Sequence, residues 1–422
     1  MSRVKQALRS KTAGNSAWAL GDQATSFVST AVSAYLLTSR LGTTGYGAFA
    51  ATYNLMGPPL AFIQSGVMLS VLDRIIRERK DPQQIARAYL GYVWTVGTTL
   101  AILLSLYVAR FVKGMPPLAG ALFIGTEFIV MAGMWVTTAT MQAARGYRYA
   151  ARVRIIVTAV RTTLMLTLAL FGKFNLTWFP ATQAAVFVVL AFLLHRWQET
   201  VYGARFRPSR FTKSDVAASS VYAVGLSAIG VQDSYDQVVL QSHYRDDAGR
   251  YAAAYRIVSL GMMPLSAIAN ATHMDFLDVN ESSNDQIHKA RKFALLGIAY
   301  SAVFCLGVII AAPLVPKVLG HKYDGSVTMM RLLVPLVPLR GIGTFPMNGL
   351  LGLGRNKLRT NLLLGSAAFS LTLYLVLIPH WSWKGAVVGT VISESVLFAA
   401  AWIALFRCQA AHNRNRITAD VG

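Results

Sequence analysis

The sequence predicts an all-α polytopic membrane protein, and three observations carry that prediction. Of 422 residues, 54% are hydrophobic and only 14% are charged, against about 25% charged in an ordinary soluble domain. Apolar stretches of the roughly 20 residues needed to cross a bilayer recur along the whole chain, separated by short polar breaks. Basic residues collect in alternate breaks, the pattern that orients membrane spans. The alternation of polar and apolar positions expected of barrel strands is missing.

Twelve spans follow, at 14–39, 45–72, 85–112, 117–143, 149–171, 176–197, 216–243, 248–274, 289–319, 326–352, 358–380 and 384–407. The first begins after the basic segment "MSRVKQALRSK" and ends in "SRLGTTG". That segment lacks a small-residue cleavage site and is followed by a full-length span, so no cleavable leader is expected. The second span carries Gly57-Pro58-Pro59, and "RERKDP" separates it from the third. "KGMPP" precedes the fourth, "ARGYRY" the fifth and "FGKFN" the sixth. A basic linker precedes the seventh, and "RDDAG" opens the eighth, which contains Pro264. The acidic loop "MDFLDVNESSNDQIHK" leads to the ninth. The tenth, with Pro335, Pro338 and Pro346, follows "GHKYDG"; "LGLGRNK" and "PHWSWK" introduce the last two. Proline in these spans removes backbone hydrogen bonds and marks kinks suited to gating.

With this map, one side of the membrane holds both termini and a roughly threefold excess of Lys and Arg over the other. The bias places both termini in the cytoplasm. The net charge of +22 is therefore read as membrane topology, and nucleic acid is not an expected partner. Cys305 and Cys408 lie at opposite depths and do not suggest a disulfide. The seven histidines are scattered without metal-ligand spacing, so no metal or cofactor is expected. No nucleotide-binding loop occurs, which argues against direct use of ATP.

The chain also repeats. "GYGAFAATYNL" (45–55) corresponds to "DAGRYAAAYRI" (247–257), with Gly47, Phe49, Ala50, Ala51 and Tyr53 facing Gly249, Tyr251, Ala252, Ala253 and Tyr255. "RGYRYAARVRIIV" (145–157) corresponds to "LGRNKLRTNLLLG" (353–365) at nearly the same offset. Six spans fit in that offset. An even number gives both halves one orientation, so the repeats are parallel about an axis along the membrane normal. The predicted domains are an N-terminal six-helix half at 1–200, a cytoplasmic linker at 201–215 and a C-terminal six-helix half at 216–422, arranged around a central cavity with the substrate site between halves.

The tandem halves, the "SRLGTTGYGAF" turn, the "AGRYAAAYR" entry and the "LGLGRNK" exit resemble the polysaccharide-repeat (O-antigen-type) flippases of the multidrug/oligosaccharidyl-lipid/polysaccharide exporter superfamily. The resemblance covers nearly the whole chain. It implies a transporter rather than an enzyme, in the bacterial cytoplasmic (inner) membrane. The implied substrate is a polyprenyl-pyrophosphate-linked glycan, moved outward by alternating access for cell-surface polysaccharide assembly, with polysaccharide-assembly enzymes as partners. A cation-coupled multidrug exporter of the same superfamily is the alternative. A polytopic glycosyltransferase using the same lipid would need a long external loop and an external acidic pair. Here Asp246-Asp247 is the only such pair, in a tight turn.

Ionisable residues ten positions into a helix lie roughly 15 Å deep, and at that depth they are functional candidates. Arg256, Arg340 and Arg161 are the candidates for binding a pyrophosphate, because guanidinium matches phosphate oxygens bidentately and stays charged. Asp22, Glu127, Asp233, Asp236 and Glu394 are candidates for proton or sodium coupling or for lining the cavity. A structural reading stands beside this one, in which opposite charges pair and hold the bundle. Asp236 with Arg256 is the expected pair, since the two flank the turn near 245–247 at matching distances. Gln232, Asp233, Asp236 and Gln237 share one face of the seventh span, and Asn15, Asp22, Ser26, Ser29 and Ser33 form a stripe on the first. Such stripes line a hydrated cavity or mark close helix packing.

Overall fold

The structure, a computed structural model, describes residues 2–202, 207–271 and 283–421. The acidic loop and the side chain of Asn15 fall outside the described residues or at their margins. Everything described is helix or short connection, with no strand among the described residues. Nine described segments are long and apolar enough to cross a membrane. Long segments such as Pro82–Phe111, 30 residues, measure about 45 Å and exceed the hydrocarbon core. The chain is a multi-pass helical membrane protein.

In order, the helices are α1 (Ser2–Leu60), α2 (Gly66–Ile76), α3 (Pro82–Phe111), α4 (Pro117–Gly125), α5 (Ala132–Arg145), α6 (Tyr147–Leu170), α7 (Trp178–Tyr202), α8 (Lys213–His243), α9 (Arg245–Leu260), α10 (Met262–Ala271), α11 (Ser283–Ala311), α12 (Val315–Leu319), α13 (Ser326–Leu333), α14 (Leu336–Gly352) and α15 (Asn356–Val421). Local chemistry sets many of these ends. Asp81 caps α3 by accepting from the Gln84 N–H at 3.0 Å, with Pro82 at the first helical position. The Asn175 carboxamide accepts from the N–H groups of Thr177 and Trp178 and starts α7. Thr212 and Asp215 exchange hydrogen bonds at the start of α8, a reciprocal capping arrangement.

Two long helices are broken within. Gly42, in the "SRLGTTG" turn, takes φ 67°, ψ −179° inside α1, a conformation glycine adopts without a Cβ penalty. Ser382 interrupts α15 at φ 50°. Some of the predicted proline sites coincide with irregular backbone, whereas Pro338 and Pro346 lie within α14. Pro58 and Pro59 precede a π turn at Ala61–Ser65, and Pro335 lies at the junction of α13 and α14. A second π turn, Thr126–Met131, separates α4 from α5, and no proline accompanies it.

The chain forms two compact units, Met1–Gly230 and Val231–Gly422. Their boundary lies inside α8 rather than in the segment before it. The first half of α8 packs on α2 and its approach, where Ser227 donates to the Pro58 carbonyl at 2.8 Å. In the first unit, Met134, Val153, Val157 and Phe187 form part of the buried core. In the second, Leu240, Tyr251, Val258, Leu333, Leu336 and Tyr374 do so. Outward faces are equally apolar: Leu295, Val303 and Ile310 on α11 are 67%, 75% and 69% exposed. In lipid such faces need no cover, and the helices associate through packing and polar contacts.

Candidate functional site

Three buried polar clusters hold most of the predicted ionisable residues. In the first unit, α1 runs along α6. Asp22 Oδ2 accepts from Arg154 Nε at 2.7 Å and from the Tyr147 hydroxyl at 3.4 Å. Arg154 also lies over the Tyr147 ring. Further along the same seam, Thr162 donates to Ser29 at 2.6 Å, and Ser33 donates to Met165 Sδ. Asp22, Ser29 and Ser33 thus serve as helix-packing contacts with α6. These contacts are of the close-packing kind, the alternative to a cavity lining for such a stripe. Small polar residues let two helices approach and hydrogen-bond.

The second cluster surrounds Glu127, in the π turn between α4 and α5. Its Oε1 is paired with Arg161 of α6 and accepts from Gln183 of α7 at 3.2 Å. Its main-chain carbonyl accepts from Gln64 at 2.9 Å, and Gln64 itself lies in the other π turn. Arg161 also sits over the Phe187 ring. π turns concentrate at functional sites because they redirect carbonyls and side chains. Here two of them meet through one amide.

The third cluster lies in the second unit. Arg340 of α14 donates from Nε to Glu394 at 2.6 Å and lies 3.3 Å from Asp233 through Nη1. Nη1 also contacts the Tyr255 hydroxyl, which in turn donates to the Asp233 carbonyl at 2.6 Å. The Asp233 side chain is 40% exposed, whereas that of Glu394 is 4% exposed, so the cluster opens on the Asp233 side. Asp236, fully buried, accepts from Tyr251 at 2.5 Å, from Thr390 at 3.1 Å and from the Gln237 N–H at 2.7 Å.

The expected Asp236–Arg256 pair does not form. The reason is the tightness of the turn: only Tyr244 separates α8 from α9. Asp236 is eight residues before Tyr244 and Arg256 is twelve after it. Four residues of helix are about 6 Å, so Arg256 lies too deep. Tyr251, seven residues after the turn, is at the right depth. The Arg256 guanidinium has no hydrogen bond or ion pair to another described residue, and its Nε is buried without a partner; only its main-chain carbonyl is engaged, accepting from Ser259 at 2.7 Å. Among the described residues it is the predicted arginine left without a carboxylate; Arg161 has one and Arg340 two.

Several cluster members escaped the sequence reading. Tyr251 and Tyr255 stand out in the sequence only as positions of the repeat, yet their hydroxyls hold Asp236, Asp233 and Arg340. Tyrosines four apart on a small-residue helix were the available signal. Gln64, Gln183 and Thr390 gave none. Arg154 was counted as a loop charge, although it lies seven residues into α6. Arg74 was counted likewise, and it is buried: it pairs with Asp215 and donates to the Ser214 carbonyl and hydroxyl, both at 2.8 Å. Among the described residues, no cluster could hold a metal ion, and Cys305 and Cys408 are free.

This is the architecture of a multi-pass membrane protein with ion-paired charges at depth inside each unit. No family model matches the chain, and no curated protein matches it. Solved structures do. An inward-facing multidrug resistance MATE family transporter of the MOP superfamily superposes with a TM-score of 0.75 at 13% identity, over 91% of this chain and 96% of that one. An outward-facing transporter of the same family gives 0.66 at 14%, over 93% and 95%. A MOP superfamily transporter from Pyrococcus furiosus, described as having a binding pocket of reverse polarity that suggests a different function, gives 0.65 at 14%, over 92% and 96%. At such identities the likeness establishes a shared fold.

Proposed function

We propose that the chain is a flippase that moves a polyprenyl-pyrophosphate-linked oligosaccharide across the cytoplasmic membrane by alternating access. The observation that carries this reading is Arg256. A guanidinium at depth costs at least about 2.5–3.5 kcal/mol on insertion scales, and this one has no compensating carboxylate among the described residues. An anionic headgroup would supply the missing charge, and pyrophosphate suits guanidinium geometry. Arg340 and Arg161 would join only by exchanging their carboxylates for substrate. Such exchange would couple binding to the release of Glu394 or Glu127, which then become available to a proton or sodium ion. The breaks at Gly42 and Ser382 support twelve spans in two parallel six-helix repeats, since 56 residues of straight helix, about 84 Å, exceed one crossing. The loop charges support cytoplasmic termini. Neighbours of the same fold occur in inward- and outward-facing forms, which supports alternating access.

The test is translocation of a fluorescent polyprenyl-pyrophosphate oligosaccharide in proteoliposomes. Arg256→Ala should abolish it at unchanged protein level, and undiminished flipping would sink the assignment. A multidrug exporter is the second reading. It is favoured by the names of the neighbours and by three carboxylates, Asp233, Asp236 and Glu394, around a single Arg340. Reduced susceptibility to cationic drugs on overexpression, with no flipping, would select it.

A further inference from the structure

We infer that the first unit carries a binding site for an anionic phospholipid, separate from the ion-paired clusters. Two adjoining cavities define it. One, of about 300 Å³, is an apolar groove between α3, α5 and α7, lined by Leu90, Trp94, Gly133, Met134, Val188 and Phe192 among others. The other, of about 480 Å³, lies between α3 and the segment before α8, lined by Gly91, Trp94, Thr95, Ser209, Arg210 and Phe211 among others. Trp94 borders both.

The groove faces outward. Trp94, Val188 and Phe192 are 51%, 54% and 57% exposed, and each lies in a membrane-spanning helix. The surrounding medium at this surface is lipid, and an acyl chain is its natural occupant. Its volume is at the lower end of the roughly 300–1,000 Å³ typical of ligand sites. Gly133 lines the groove beside the indole: a Cβ there would make ordinary contact at 3.6 Å from Trp94 Nε1, and a longer side chain would enter the groove.

The second cavity gives this groove a charged end. The segment before α8 is held against α3 by the Ser209 N–H, which donates to the Arg87 carbonyl at 3.0 Å. Gly91 permits that approach, because a Cβ there would collide with the Ser209 carbonyl. Phe211 anchors the segment edge-on against Tyr92, with ring centroids 5.4 Å apart. So held, the segment places Arg210 in the lining of the second cavity, flanked along the chain by Arg207 and Lys213, all three exposed. Basic pockets beside membrane helices take anionic headgroups, and an indole between apolar and polar space suits the interface. One acyl chain occupies the groove, and the phosphodiester meets Arg210. The loop-charge bias assigns this end to the cytoplasmic leaflet.

The test uses the purified full-length protein and native mass spectrometry. Phosphatidylglycerol should form several-fold more adducts than phosphatidylcholine with the same chains. Arg210→Gln should lower the phosphatidylglycerol adducts to the phosphatidylcholine level, and Arg210→Lys should retain most of them. Arg331→Gln, at an exposed arginine of the second unit, should change nothing. Gly133→Leu should reduce adducts of both lipids. Phosphatidylglycerol with brominated acyl chains should quench a share of the tryptophan emission that Trp94→Phe removes. Equal binding of both lipids overturns the inference. So do full retention in Arg210→Gln, an equal loss in Arg331→Gln, displacement by inorganic phosphate alone, or quenching indifferent to Trp94→Phe.

Discussion

Replacing Arg340 with Met removes the only cation that contacts Glu394 among the described residues. The Glu394 side chain is 4% exposed and takes its 2.6 Å hydrogen bond from Arg340 Nε. Breaking a buried pair by deleting one partner costs about 3–5 kcal/mol, because the other charge stays buried and uncompensated. Asp233, the second partner, is the more exposed carboxylate at 40%, so Asp233→Asn should cost less than the loss of the Glu394 pair. The loss is thus concentrated on Glu394. A double variant, Arg340→Met with Glu394→Leu, fills the volume with apolar groups and removes both charges. It should be more stable than Arg340→Met alone. Unfolding free energies from reversible SDS titration in mixed micelles give all the values. Independent sites add to within about 0.5 kcal/mol. A double variant as damaged as the sum of its single changes would refute the claim that Arg340 and Glu394 act as one buried unit.

Other outcomes follow from the same geometry. Arg74→Ala should destabilise the protein by about 3–5 kcal/mol, since it leaves Asp215 buried. Arg77→Ala, whose side chain is 84% exposed, should stay within about 0.5 kcal/mol of the parent; expression and unfolding measurements distinguish them. Gly66→Ala should cost about 1–3 kcal/mol by overpacking, because its Cβ would lie 2.7 Å from the Ser219 carbonyl and 2.9 Å from Ala223 Cβ. The same titration reads that loss. Glu127→Gln should abolish the response of transport to an imposed proton or sodium gradient while substrate binding, measured by equilibrium titration, persists. A full response would remove Glu127 from the coupling route.

The all-helical, multi-pass character was legible because bilayer thickness dictates the length of apolar runs, and the break at Gly42 because glycine-rich turns interrupt helices. Ser382 was not, since nothing in "PHWSWK" marks a serine for positive φ. The proline sites were readable from one residue type, whereas the π turn at Glu127 arises within an uninterrupted apolar run. The depth of each ionisable residue could be counted, but its partner could not. Asp22 and Arg154 are joined across 132 positions, and Arg74 and Asp215 across 141. Which helices adjoin decides such pairs. Even the local pair, Asp236 with Arg256, failed because a one-residue turn shifts the register by a helical turn. Counting flanking arginines by side of the membrane treats every one as a topological charge, which hid that Arg154 and Arg74 are held in ion pairs.

The π turn at Thr126–Met131 also bears on how such a helix can change over evolutionary time. An α-helix advances about 100° per residue, so an extra residue in a regular span would turn one flank against the other. A π turn takes up that residue within a single wide turn, so losing one residue there would rewind the segment to ordinary α geometry with both flanks kept in register. Gly133, Met134 and Thr137 would stay beside Trp94, and the change would fall on the turn itself, on the reach of Glu127 toward Arg161 and Gln183. Relatives shorter by one at this point should agree on both flanks of the helix and differ at the carboxylate.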